Sequence, residues 1–151
     1  MKSTEILLVD DNPADSQLAA EVLGRNRCPS HIQFVTAGVQ AIAFLRREGD
    51  YADAILPDFV ILDLNLPHKD GFAVLAEVKA DPVLRKIPIA IFSTSEAQQD
   101  ITRSYELGAN CYVSKPGNLR EFASAVTLIG EFWFSVWRGC HARRSDEQRS
   151  Y

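Results

Sequence analysis

The sequence predicts an α/β domain of five successive βα units, (βα)5, with a doubly wound parallel five-stranded sheet and an extended, aromatic-rich C-terminal helix. Three observations predict it. Short apolar runs alternate with amphipathic stretches five times along the 151 residues. The runs are rich in β-branched and aromatic residues, whereas the stretches between them repeat apolar positions every three to four residues. Polar and charged residues collect where the apolar runs end, which is where open α/β sheets bind ligands. Parallel neighbours need crossovers of one hand, so helices should cover both faces of the sheet.

The first strand is expected over residues 5–9 and the first helix over 13–25. Pro13 suits the first helical position, where its missing N–H costs nothing, and Asn12 before it can cap. A strand over 32–35 and a helix over 39–47 follow, then a long connection, REGDYADAILPD, which reads as a surface excursion. The central strand, 59–62, is the unbroken apolar run Phe59, Val60, Ile61, Leu62, as a strand buried on both faces requires. A helix over 71–79, a strand over 87–92 and a helix over 96–107 come next, the last stopped by Gly108. A short strand over 111–113 and a final helix over 119–137 complete the alternation.

Composition narrows the function. With 46% hydrophobic and 24% charged residues the chain reads as one globular domain with a full-sized core. Sixteen basic against 20 acidic residues leave a net charge of −4, which argues against a nucleic-acid or anionic-membrane surface. No signal-peptide pattern or bilayer-spanning run is visible, so a cytoplasmic location is expected. Cys28, Cys111 and Cys140 are widely separated and carry no zinc or disulfide spacing.

The strand ends hold the chemistry. Asp10 and Asp11 end the first strand, Asp63 the third, Ser93 and Thr94 the fourth, and Ser114 and Lys115 the fifth. Each alone has an ordinary explanation as a cap, a loop residue or a solvated charge; the joint pattern does not. Three carboxylates on one rim repel, and a hard divalent cation with oxygen ligands, Mg²⁺, relieves that repulsion. Lys115 adds a mobile positive charge. Such a rim suits a phosphoryl group, with Asp63 as nucleophile and Ser93 donating its hydroxyl to a phosphoryl oxygen.

The segments ILLVDDNPAD, ILDLNLPHKDG, IAIFSTSE and CYVSKPGNL, in this order, resemble the four signatures of bacterial response-regulator receiver domains over roughly residues 2–130. The resemblance implies a flavodoxin-like strand order, 2-1-3-4-5, and a chain that accepts a phosphoryl group from a histidine kinase rather than working as an enzyme. It implies Asp63 as phosphoacceptor, Asp10 and Asp11 as the acidic pair around Mg²⁺, and the Asn65 backbone carbonyl as a further metal ligand. It implies Ser93 as the switch hydroxyl, Tyr112 as the aromatic that reports the switch, and Lys115 as the phosphate-pairing lysine before a cis Pro116. FLRREGDYADA, PVLRKIPIAIFSTS and EFWFSVW are further similar to stand-alone receivers paired with phytochrome histidine kinases.

Beyond a receiver over 1–130, residues 131–151 read as a helix extension and polar tail without an output domain. Phe132, Trp133, Phe134 and Trp137 crowd more ring area than one helix face hides, which predicts a homodimer interface. The competing expectation is a helix end folded back on its own domain. Two other functions stay open: a Mg²⁺-dependent small-molecule phosphoryl-transfer enzyme, and a receiver-like binding module that takes no phosphoryl group. Asn65, where such an enzyme would carry a second acid, weighs against the first, and the intact Asp11, Asp63 and Lys115 against the second.

Overall fold

In the computed structural model residues 3–25 and 30–134 are described, and the statements of structure below concern those residues. The elements run β1 (Thr4–Val9), α1 (Pro13–Gly24), β2 (Ser30–Val35), α2 (Gly38–Arg46), β3 (Phe59–Leu62), α3 (Gly71–Ala80), β4 (Ile89–Ser93), α4 (Gln98–Glu106), β5 (Cys111–Ser114) and α5 (Leu119–Phe132). All strand pairs are parallel, in the order β2-β1-β3-β4-β5. This is the expected doubly wound (βα)5 sheet, and its order reverses between β1 and β3.

Alternation along each strand splits the apolar side chains between two cores. Leu7, Val9, Val60, Leu62, Ile89 and Ile91 face α2 and α3. Ile6, Leu8, Phe59, Ile61, Ala90 and Phe92 face α1 and α5. The continuous apolar run of β3 thus serves both faces, and all four of its residues are buried.

Local chemistry sets the boundaries. Asn12 caps α1 by accepting the Asp15 N–H at 3.1 Å, and Asn118 caps α5 by accepting the Glu121 N–H at 2.8 Å. β4 starts two residues later than the apolar run suggests, because Leu84–Lys86 forms a 3₁₀ turn and the Ile87 N–H closes back on the Leu84 carbonyl. The connection after α2 is more than a surface excursion. It contains a 3₁₀ turn, Gly49–Tyr51, and packs Tyr51 against Phe44 with ring centroids 5.4 Å apart.

The aromatic end of the last helix corrects the sequence expectation. Trp133 and Phe134 are buried in the chain's own core between α1 and α5, and the Trp133 indole stacks on Phe59 at 5.0 Å with an interplanar angle of 6°. Phe132 is half-buried. Rings already removed from water have nothing left to gain across a two-fold axis, and packing within one chain avoids the cost of association. Trp133 and Phe134 therefore follow the competing expectation, a helix end folded back on its own domain, and Trp137 lies outside the described residues.

Candidate functional site

The sheet itself delivers the polar residues to one rim. The Asp10 N–H donates to the Val35 carbonyl at 3.1 Å, and the Asp63 N–H to the Val9 carbonyl at 2.9 Å. The Lys115 N–H donates to the Ser93 carbonyl at 2.7 Å. Each of these residues thus extends its strand's ladder by one step and is held by the backbone of its neighbour. Both buried carboxylates then close a tight turn: Asp10 Oδ1 accepts the Asn12 N–H at 2.9 Å, and Asp63 Oδ1 accepts the Asn65 N–H at 3.1 Å. Their second oxygens stay free to face Lys115.

Lys115 Nζ lies 2.6 Å from Asp10 Oδ2, 2.9 Å from Asp63 Oδ2 and 3.0 Å from Asp15 Oδ2. Its side chain is only 4% exposed. Burial alone pushes the ammonium's pKa down, but the carboxylate partners Asp10 and Asp63 outweigh it and hold the pKa above the ordinary lysine range. Burial likewise raises the Asp10 pKa, opposed by the Lys115 ammonium and the Asn12 N–H. Asp11 is exposed, and an oxygen of each of Asp10, Asp11 and Asp63 lies within 4.8 Å of the others. Asp10, Asp15 and Asp63 thus surround the ammonium, and Asp11 adds a fourth carboxylate to the rim. The trio of Asp10, Asp11 and Asp63 offers hard oxygen donors and surplus negative charge, so it is capable of holding a divalent cation such as Mg²⁺.

Ser93 is fully buried at the end of β4, and its Oγ accepts from the Ser95 N–H at 3.4 Å, while Asn65 Nδ2 approaches Ser93 Oγ and Thr94 Oγ1 at 3.5 and 3.4 Å. Tyr112, on β5, donates its hydroxyl to the Ser95 carbonyl at 2.8 Å. Desolvation, the largest of several influences, raises its pKa. One residue departs from expectation: no peptide bond among the described residues is cis, so the bond before Pro116 is trans. Trans is the lower-energy isomer by about 0.5–1 kcal/mol, and Lys115 reaches its three carboxylates without the other.

The sequence reading missed two contributors. Asp15 has a signal in hindsight, since three residues beyond the Asn12 cap it shares the first turn of α1 and points back at the rim. Gly71 has a packing role: a Cβ there would sit 2.4 Å from the Asp63 carbonyl oxygen, so only glycine lets α3 start this close to the end of β3.

Residues 6–127, well over half of the chain, match the family described as the response regulator receiver domain. The chain belongs to that family. Among curated relatives, the receiver is 43% identical over 131 residues to response regulator Rcp1 of Synechocystis sp., covering 87% of this chain and 89% of Rcp1. Among solved structures, the phosphorylated cyanobacterial phytochrome response regulator RcpA superposes with a TM-score of 0.87 at 46% identity, covering 91% of this chain and 99% of that one. The Mn²⁺-bound form of Rcp1 gives a TM-score of 0.85 at 41% identity, covering 88% and 96%. The receiver is thus closely related to phytochrome-associated response regulators, a signalling class. Among the described residues no helix is long and apolar enough to cross a membrane.

Proposed function

We propose that the receiver accepts a phosphoryl group on Asp63 from the phosphohistidine of a histidine kinase, of phytochrome type, and changes a protein-binding surface in response. The observation that carries this reading is the buried Lys115 ammonium 2.9 Å from Asp63 and 2.6 Å from Asp10, at the carboxyl end of the sheet. Similarity to a phosphorylated phytochrome response regulator supports the partner class.

In the reaction an Asp63 carboxylate oxygen forms a bond to phosphorus as the phosphorus–imidazole nitrogen bond breaks. The leaving imidazole keeps the electron pair and takes a proton from water. Lys115 already faces Asp63 and meets the charge of the incoming oxygens without having to be carried into the site. Asp10, Asp11, Asp63 and the Asn65 carbonyl would hold Mg²⁺. When bound, that ion supplies positive charge against the phosphoryl oxygens. A buried Ser93 hydroxyl beside Asn65 is the group that answers the new phosphoryl oxygens, and Tyr112, joined to the same loop, is the aromatic that follows. Lys115→Ala should then still accept phosphoryl slowly and fail to pass the change on to Tyr112.

Incubation with Mg²⁺ and acetyl phosphate, read by intact mass, tests the class. The expected result is a gain of one phosphoryl group, lost in Asp63→Asn. No gain in the wild-type chain rejects the assignment. For the partner, transfer from a phosphorylated phytochrome kinase should outpace transfer from a kinase with another sensor; equal rates would reject the phytochrome pairing.

A further inference from the structure

We infer that Tyr105, a residue of α4, is a positioning residue of the switch: its hydroxyl latches α4 to the edge of β5. β5 is the last strand of the sheet, with a strand partner on one side only among the described residues. Amides on its other side need another acceptor or water. The Tyr112 N–H finds one, donating to the Tyr105 hydroxyl at 3.0 Å. Tyr112 is thereby held at two points. Its hydroxyl is bound to the Ser95 carbonyl in the β4–α4 loop, and its amide to the C-terminal part of α4. The loop closes the circuit, because the Ser95 hydroxyl donates to Asp100 Oδ2, in the first turn of α4, at 2.6 Å.

The latch matters because little else fixes α4. The only fully buried residue of this helix is Ser104, and its hydroxyl is spent on the Asp100 carbonyl inside the helix. A helix with no buried apolar residue of its own takes its position largely from such polar ties, and a change at Ser93 reaches it through Ser95. Breaking the Tyr105 tie should therefore let α4 take up its phosphorylated position before any phosphoryl group arrives. That signalling role rests on the phosphoacceptor reading above; the latch rests on the geometry alone.

Amide exchange and backbone chemical shifts by NMR, on the wild-type chain and on Tyr105→Phe, test both parts. Tyr105→Phe keeps the ring and removes the acceptor, so the Tyr112 amide should exchange about two- to tenfold faster, the worth of one hydrogen bond. The Lys115 amide, bonded to the Ser93 carbonyl, should be unchanged. Without phosphoryl, α4 resonances of Tyr105→Phe should lie part-way along the line joining the two wild-type states, and Tyr105→Leu should move them the same way. An unchanged Tyr112 exchange rate overturns the latch, and α4 shifts that stay at the unphosphorylated wild-type position overturn its role. If intact mass shows that the wild-type chain takes no phosphoryl group, the phosphoacceptor reading falls, while the exchange rate still decides the latch.

Discussion

Helices α4 and α5 approach the same edge strand and are held to it by different physics. α5 buries Phe122, Val126 and Ile129, and the chain beyond it buries Trp133 and Phe134, all in the core shared with α1. α4 buries Ser104 alone and relies on side-chain ties: Ser95 with Asp100, Tyr105 with the Tyr112 amide, and the Arg103 guanidinium 4.3 Å from the Phe72 ring centroid. Burial of apolar area is large and indifferent to small displacements, whereas hydrogen bonds and ring contacts are individually small and sensitive to geometry. One helix is built to stay and the other can be moved at low cost.

The largest expected effect breaks the stable side. Trp133→Ala removes an indole stacked on Phe59 in the core and should destabilise the chain by about 3–5 kcal/mol in urea denaturation. A loss below about 1 kcal/mol, the range of substitutions that touch no core contact, would mean that the end of α5 is not packed as described.

The same contrast separates what the sequence disclosed from what it withheld. The run Phe59 to Leu62, the Asn12 cap and the gathering of the strand-end acids on one rim were legible because each follows from periodicity or local hydrogen bonding. The fate of Trp133 was not legible. Aromatic crowding reports how much area must be hidden, while the partner that hides it, Phe59, lies about half the chain away in sequence. Asp15 was hidden for the opposite reason: an acid in the first turn of a helix has an adequate local explanation in the helix dipole, which masks its 3.0 Å contact with Lys115. The Tyr105 latch leaves no trace in sequence, since nothing in a tyrosine's surroundings along the chain says which distant amide its hydroxyl meets.

The thiol of Cys111 probes the α5 side of β5 chemically. Cys111 packs against the α1–α5 core, and burial pushes its thiol up to about 11 from 9.0. Only the thiolate reacts, so at pH 8 its alkylation by iodoacetamide should run about a hundredfold slower than that of an ordinary thiol, rising with pH toward 11. The sign for stability follows. The neutral thiol is favoured in the folded chain, so this group's contribution is intact below about 9 and is lost as pH rises through 11. Peptide-resolved alkylation of Cys111 at the rate of the urea-unfolded chain would show that the seam between β5 and α5 is open.

The smallest effect belongs to α4 and is informative for being small. Arg103 is exposed and its guanidinium lies over Phe72, a half-buried ring of α3, so the contact is worth about 0.5–1 kcal/mol. Arg103→Ala should lower global stability by no more than that, because α4 adds little apolar burial to the cooperative core. Its local consequence should be larger in relative terms, since it removes one of the few ties on a helix with no buried apolar residue of its own. Amide exchange across Gln98–Glu106 should therefore accelerate while exchange in α5 does not change. A global loss of several kcal/mol from Arg103→Ala would show that α4 is part of the core after all, and the division between a fixed helix and a movable one would have to be given up.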